Sequence, residues 1–125
     1  MQIQINLDPA AISRLSKAIE PAVQLTVDAL RGDVISAQVM PFDQGDMQNK
    51  NTHTEVVRTG DTVIGALVTD ESPQARRLYY HPEYNFQRAN NPNARGLWYE
   101  PWISGERSGF AEEVFAAAYK KEAGL

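Results

Sequence analysis

The chain has 125 residues, of which 42% are hydrophobic and 22% charged, and this balance predicts one globular domain over residues 1–125 rather than a disordered chain. Its formal net charge of -4 argues against a nucleic-acid-binding face, and its lack of cysteine excludes disulfides and thiolate metal sites. No stretch approaches the roughly 20 apolar residues of a membrane span, and the first residues lack signal-peptide features, so we expect synthesis in a cytoplasm and no membrane partner.

A long amphipathic helix is predicted to begin at Asp8 and Pro9, an N-cap acid followed by a proline at the first helical position. Mostly apolar residues then recur at spacings of three and four, which places them on one helix face. The residues on that face are Ile12, Leu15, Ile19, Val23, Thr26 and Leu30. Because an interior proline removes a hydrogen bond, we expect a kink or a break near Glu20, with Pro21 starting the second half.

The middle of the chain predicts a loop followed by a hairpin. Residues 41–53 are polar and rich in turn formers, and we expect them to form a loop that becomes ordered against a neighbouring chain. Two β-branched runs, residues 54–58 and 62–69, flank a short turn that contains Gly60. This pattern predicts an antiparallel pair of strands, and Pro73 follows it because proline cannot donate to a strand ladder.

The last third of the chain predicts a loop, a strand and a helix. Residues 81–96 have a loop composition, and residues 97–102 are a plausible last strand. A closing helix is predicted from Ser108, with acidic residues in its first turn and lysines in its last, as the helix dipole favours. The order of elements predicts an α+β fold in which a long N-terminal helix and a C-terminal helix pack on a small antiparallel sheet.

Residues that could carry catalysis or bind a metal are scattered along the sequence. His53 and His81 are far apart, and neither belongs to a spaced pair of the kind that binds zinc. The acidic residues on either side of Gly45 suit a turn, and those in the closing helix suit a helix start. Phosphate-loop and hydrolase-elbow motifs are missing. We therefore expect no enzyme activity, no catalytic residue, no metal and no cofactor.

Aromatic residues are concentrated near the end of the chain, where residues 79–102 contain seven of the eleven. One interpretation is a core between the sheet and the helices, since aromatic side chains bury large areas. Another is a protein interface, for which the candidates are Tyr79, Tyr80, Trp98 and Trp102. A non-catalytic carbohydrate- or ligand-binding module that uses the two tryptophans is a third, and a hydrolase without a recognisable motif is a fourth.

Three short segments suggest a family. Residues 41–47 read Pro-Phe-Asp-Gln-Gly-Asp-Met, residues 72–80 read Ser-Pro-Gln-Ala-Arg-Arg-Leu-Tyr-Tyr, and residues 94–100 read Ala-Arg-Gly-Leu-Trp-Tyr-Glu. Their order and spacing resemble the minor capsid proteins of tailed bacteriophages, which are related to head-to-tail joining and tail-completion proteins. Two positions depart from the family pattern: Gln74 stands where an aromatic residue is common, and residues 49–50 stand where serine is common.

This resemblance implies a structural virion protein without a cofactor, made in the host cytoplasm and located at the head-to-tail junction or in the tail. It also implies a homo-oligomeric ring at the neck or tail top, with other phage neck or tail proteins as partners and DNA only as passing cargo. We expect the hairpin over residues 54–69 and the aromatic region to supply the contacts, because edge strands offer unpaired backbone groups. The acidic balance of the chain suits a passage that does not hold phosphates.

Overall fold

The structure is a computed structural model that describes residues 1–42, 46–70 and 72–125, with only the backbone at Asp46. Its elements are α1 (Pro9–Ser36), α2 (Asp46–Asn49), β1 (Thr52–Thr59), β2 (Thr62–Thr69), α3 (Ala75–Tyr79), α4 (Glu100–Ile103) and α5 (Phe110–Ala123). The predicted α+β fold is confirmed, with a long N-terminal helix, a C-terminal helix and a small antiparallel sheet. Among the described residues, no helix is long and apolar enough to cross a membrane.

Helix α1 is the central element of the fold, because the hairpin and α5 both pack against it. The carboxylate of Asp8 accepts a hydrogen bond from the Ala10 amide at 2.9 Å, as predicted for an N-cap residue. The predicted break near Glu20 is wrong, because α1 runs without interruption through Pro21. A proline inside a helix costs about 3 kcal/mol, which the packing of the hairpin and α5 along α1 offsets.

Helix α5 packs antiparallel to α1. The hydroxyl of Tyr119, near the end of α5, donates to the carbonyl oxygen of Leu15, near the start of α1, at 3.2 Å. At the opposite end, Arg107 precedes α5 and pairs with Asp33 near the end of α1 at 2.8 Å. Both helices bury small residues, including Ala22 and Ala123, which allow their backbones to approach closely.

The hairpin predicted from the two β-branched runs is confirmed. Strands β1 and β2 pair residue for residue, from Thr52 opposite Thr69 to the pair that closes the turn. The turn consists of Gly60 and Asp61, and only Gly60 has a positive φ, of 61°. This is the backbone of a type II′ turn, whose first central position favours glycine.

One face of the hairpin packs on α1. A Cβ atom at Gly65 would lie 2.5 Å from Val23 Cγ1 and 2.8 Å from Val27 Cγ1, so the missing side chain allows β2 to approach the helix. At the edge of this contact, Arg58 of β1 forms an ion pair with Glu20 at 3.0 Å. Because side chains alternate along a strand, the neighbouring residues of both strands point away from the helix.

Two of the predicted boundaries are wrong. Residues 97–102, predicted as a strand, form a turn and then α4. Leu97 has a φ of 50°, which no strand contains, and Pro101 lies in the first turn of α4, where its missing N–H is tolerated. The predicted loop over residues 41–53 includes α2 and the start of β1, while residues 43–45 lie outside the described residues.

The long predicted loop before α4 is fastened to the segment that follows α1. The side-chain amide of the buried Asn91 donates to the carbonyl oxygen of Met40 and to Gln48 Oε1, both at 2.8 Å. The side-chain amide of Asn93 donates to the Ala37 carbonyl oxygen at 2.9 Å, and the backbone N–H of Arg95 donates to the Val39 carbonyl oxygen at 2.9 Å. These bonds give a segment without regular structure a fixed path.

Candidate interaction surfaces

Trp98, one of the four predicted interface residues, lies in the core. It is 1% exposed and packs in a cluster with Val34, Met40 and Ala75. Its ring meets the ring of Tyr79 edge to face, with centroids 4.8 Å apart at 88°. Its indole N–H has no acceptor among the described residues, which costs about 1–3 kcal/mol for a buried donor. In this conformation Trp98 therefore offers no surface to a partner.

The two tyrosines of the predicted interface differ in exposure. Tyr79 is partly buried, and this burial, followed by the charge of Glu100, raises the pKa of its hydroxyl above the ordinary value. Tyr80 is 64% exposed, and its ring meets that of Tyr79 edge to face at 5.1 Å. The two tyrosines and Tyr99 line a shallow depression of about 390 Å³ over Trp98. Tyr80 is thus the member of this group that a partner could reach directly.

Trp102 stands apart from that depression and links α4 to α1. Its indole N–H donates to Asp33 Oδ2 at 2.8 Å. Arg107 donates to both carboxylate oxygens of Asp33, at 3.0 and 2.8 Å, and its guanidinium lies 5.9 Å from the centroid of the Trp102 ring. One carboxylate therefore holds the end of α1, α4 and the start of α5 together.

We expect Asp33→Ala to lower the free energy of unfolding by about 1–3 kcal/mol, because it leaves a partly buried indole N–H and a guanidinium without their acceptor. Urea denaturation followed by tryptophan fluorescence measures this loss. Asp28→Ala is the matched control on the same helix, since Asp28 is exposed and its loss should change stability by no more than about 0.5 kcal/mol. Equal effects of the two variants would contradict the linking role of Asp33.

A groove of about 850 Å³ runs beside Trp102, between the end of α1 and the loop of residues 81–96 that precedes α4. It is lined by Arg88, Arg95 and Arg107, and the first two donate from Nε to backbone carbonyls at 3.3 and 3.0 Å. The sequence pattern gave no reason to group these three arginines, which meet only in the folded chain. Guanidinium groups bind carboxylates in two-pronged geometry. Arg107 already pairs with Asp33, and Glu106 also lines the groove, so Arg88 and Arg95 are the two residues here that would bind an acidic partner segment.

The second grouping that the sequence analysis missed surrounds His53. Its Nε2 lies 3.1 Å from Glu55 Oε1, and its Nδ1 lies 3.4 Å from Asp70 Oδ1. These three side chains have ligand atoms close enough to hold a cation, and they are exposed or half-exposed at the end of the hairpin. Each ring nitrogen of His53 therefore has a carboxylate oxygen as its neighbour.

Two groups of exposed apolar side chains lie on the outer hairpin face and in the first seven residues. Val57 and Ile64 pair across the two strands on the outer face, where they are 57% and 61% exposed. Ile3, Ile5 and Leu7 are 93%, 84% and 74% exposed. Apolar groups in water favour association, so these regions are candidate contact surfaces.

Comparison with known proteins gives no match: no protein-family model, no curated protein and no solved structure is similar to this chain.

Proposed function

We propose that the chain is a non-catalytic structural subunit that assembles with other protein chains, as part of the head-to-tail connector or tail top of a tailed phage or prophage. The observation that carries the assembly role is the exposure of large apolar side chains on the outer hairpin face and along the first seven residues. The resemblance of the three short segments to minor capsid proteins is the reason for placing the subunit in a phage particle.

The exposed apolar side chains support assembly because they are grouped. Val57 and Ile64 are cross-strand neighbours, so their surfaces form one patch. Isolated apolar residues are normal on a protein surface, whereas grouped ones are typical of contact sites. Burial releases about 25 cal/mol for each Å² of apolar surface, so a partner that covers the patch gains affinity from every side chain in it.

Ring assembly follows from how one contact repeats. When two different surfaces of identical subunits meet, the contact repeats around an axis and closes if the rotation divides a full turn. In such a ring each copy of this chain would supply a segment of a channel wall, with DNA as passing cargo. Partners above and below the ring would be other neck or tail proteins.

The environments of the two histidines fit a structural role. His81 Nδ1 lies 2.7 Å from Glu83 Oε1, and its ring stacks on Tyr84 with centroids 4.6 Å apart. His53 faces two carboxylates, as described above. Both ring nitrogens of His53 and one ring nitrogen of His81 thus lie next to carboxylates at the surface, where solvent reaches them.

The ligand-binding alternative loses part of its basis in this fold. Trp98 is buried, and the Trp102 ring is partly covered with its N–H bonded to Asp33. A stacking platform for a sugar would have to rely on Tyr80 and Tyr84, which are exposed but do not face a deep cavity with each other.

Imaging of the particle tests the proposal. A tag placed after Leu125, which is 72% exposed, marks the chain in particles produced by a host cell that carries the phage or prophage. We expect density for the tag in a closed ring around the symmetry axis at the neck or tail top. Untagged particles serve as the control.

Two results would contradict the proposal in different ways. If the chain is found as isolated decoration on the capsid exterior, the ring mechanism is wrong and the structural role remains. If purified particles contain none of the chain, the virion role is wrong as well.

A further inference from the structure

The first seven residues have the pattern of a strand without being one. Apolar and polar residues alternate, which is the signature of a β-strand with one buried face. The apolar positions are Met1, Ile3, Ile5 and Leu7, and the polar positions are Gln2, Gln4 and Asn6. In the structure this segment pairs with none of the described residues, and all seven of its residues are exposed.

The first seven residues do not pack on the rest of their own chain. Asp8, which follows the segment, has the extended backbone typical of an N-cap residue, with φ of -77° and ψ of 112°. The apolar face of the segment is consequently left in water, with Ile3 the most exposed isoleucine of the chain at 93%. A segment with this pattern needs a sheet edge to satisfy its backbone and an apolar surface to cover its side chains.

Strand β2 offers an open edge. The residues that flank a two-residue turn form a hydrogen-bonded pair, so the backbone groups of every second residue along β2 point outward. Those residues are Val63, Gly65 and Leu67, and their outward groups have no partner in the part of the chain that the structure describes. The sheet has two strands, so this edge has no neighbouring strand there.

The two edges of the sheet differ in charge. Strand β1 carries His53, Glu55 and Arg58, and charged side chains are how proteins keep an edge from pairing. Strand β2 has no charged residue, and its only polar side chains are threonines. An added strand therefore finds the favourable edge at β2.

An apolar stripe of α1 continues beyond that edge. Ile12, Ile19 and Leu30 lie within about 20° of one another around the helix, at 3.6 residues per turn. None of them is fully buried, and Ile12 is 49% exposed. Around α1, Glu20 lies under β1, Val23 lies under β2, and the stripe follows on the far side of Val23. A third strand beside β2 would cover it.

We propose that residues 1–7 of one copy add as a third strand to the free edge of β2 in a second copy. The apolar side chains face α1 of the acceptor, and the two glutamines and Asn6 face outward. This inference deepens the proposed function by naming the contact between copies. Donor segment and acceptor edge are different surfaces, so the contact is of the head-to-tail type that closes rings.

Disulfide trapping tests the contact, and the cysteine-free sequence provides a clean background. Neighbouring strands lie about 4.8 Å apart, within the Cα separation that a disulfide accepts. Gln4→Cys is combined with Cys at one of three outer-face positions of β2, Ile64, Ala66 or Val68, to allow for register. We expect one of these variants to form crosslinked oligomers under mild oxidation.

Glu55→Cys combined with Gln4→Cys is the matched control. Glu55 pairs directly with Ala66, so it lies on the same face but one strand further away, at roughly 10 Å from the added strand. We expect this control to crosslink at least about tenfold more slowly. If it crosslinks faster than every β2 variant, the added strand lies on β1 and the proposal is overturned.

Aspartate substitutions test which face of the added strand is buried. Ile3→Asp together with Ile5→Asp should weaken self-association about 100-fold, because two isoleucines lose their burial. Gln2→Asp together with Gln4→Asp adds the same charge to the outward face and should change it by less than about fivefold. Sedimentation velocity over a concentration series measures both.

Three outcomes decide the matter. Weakening by the isoleucine pair alone supports the contact. Equal behaviour of the two pairs overturns it, as does a wild-type chain that stays monomeric at every concentration tested. Neither of these results would remove the chain from the particle, so failure of the strand contact is distinguishable from failure of the proposed function.

Discussion

Replacing Trp98 with alanine is expected to lower the free energy of unfolding by about 3–5 kcal/mol. The side chain is the largest of those that are fully buried, and it fills the space between α1, α3 and the segment after α1. Removing it leaves a cavity that the surrounding Val34 and Met40 cannot close. Urea denaturation monitored by circular dichroism measures the loss, because the variant lacks one of the two fluorescent tryptophans.

Tyr80→Ala is the control for this prediction. Its ring is 64% exposed and next to the same cluster, so we expect a change of no more than about 0.5 kcal/mol. A Trp98→Ala variant that keeps full stability but loses assembly would show that Trp98 acts at an interface and that its place in the core is wrong.

Gly96→Ala is expected to destabilise the protein by about 2–3 kcal/mol, the upper part of the range for forcing extra volume into a packed site. A Cβ atom at this position would lie 2.7 Å from Pro82 Cα, 2.9 Å from Pro82 N and 3.0 Å from the Leu78 carbonyl oxygen. These are backbone atoms, so no side-chain rotation can relieve the contacts. Thermal unfolding of the purified variant measures the change.

Gly32→Ala is the matched control, and its expected effect on the free energy of unfolding has the opposite sign. Gly32 lies inside α1, and a Cβ atom there would have nothing within 4 Å. Alanine is the better helix former by about 1 kcal/mol, so this variant should be more stable than the wild type. A neutral effect of Gly96→Ala would mean that Pro82 and Gly96 do not approach each other as described.

The regular elements were predictable because their signals are local. Asp8 and Pro9 mark the start of α1, and the alternation of β-branched residues around Gly60 marks the hairpin. The end of α5 is also local, since Gly124 adopts the left-handed conformation with φ of 72° that ends many helices. In each case the residues that decide the structure are within a few positions of one another.

The segment around Trp98 was not predictable because its conformation depends on distant contacts. Residues 97–102 have the apolar and aromatic composition of a strand, but no second strand lies beside them among the described elements. The backbone N–H of Leu97 donates to the Tyr79 carbonyl at 2.8 Å, which holds the turn in place. Composition alone could not separate a buried tryptophan from an exposed one.

The grouping around His53 and the arginines of the groove were not predictable either, because they too depend on contacts between distant parts of the chain. Asp70 joins His53 across the end of the hairpin, and Arg88 joins Arg107 across the groove. Pairs of residues this far apart meet only after the chain has folded, and no spacing rule applies to them. The alternation in the first seven residues was visible in the sequence, but its importance depends on the finding that the segment is unpaired.

The buried amide of Asn91 also has a consequence for the order in which the chain folds. Its two hydrogen bonds span 51 and 43 residues, so they close large loops and can form only when the end of α1 and α2 are already in position. We therefore expect the loop before α4 to dock after α1 and α2 have formed. We also expect this loop to open locally, by losing these bonds, while the contact between α1 and α5 stays intact.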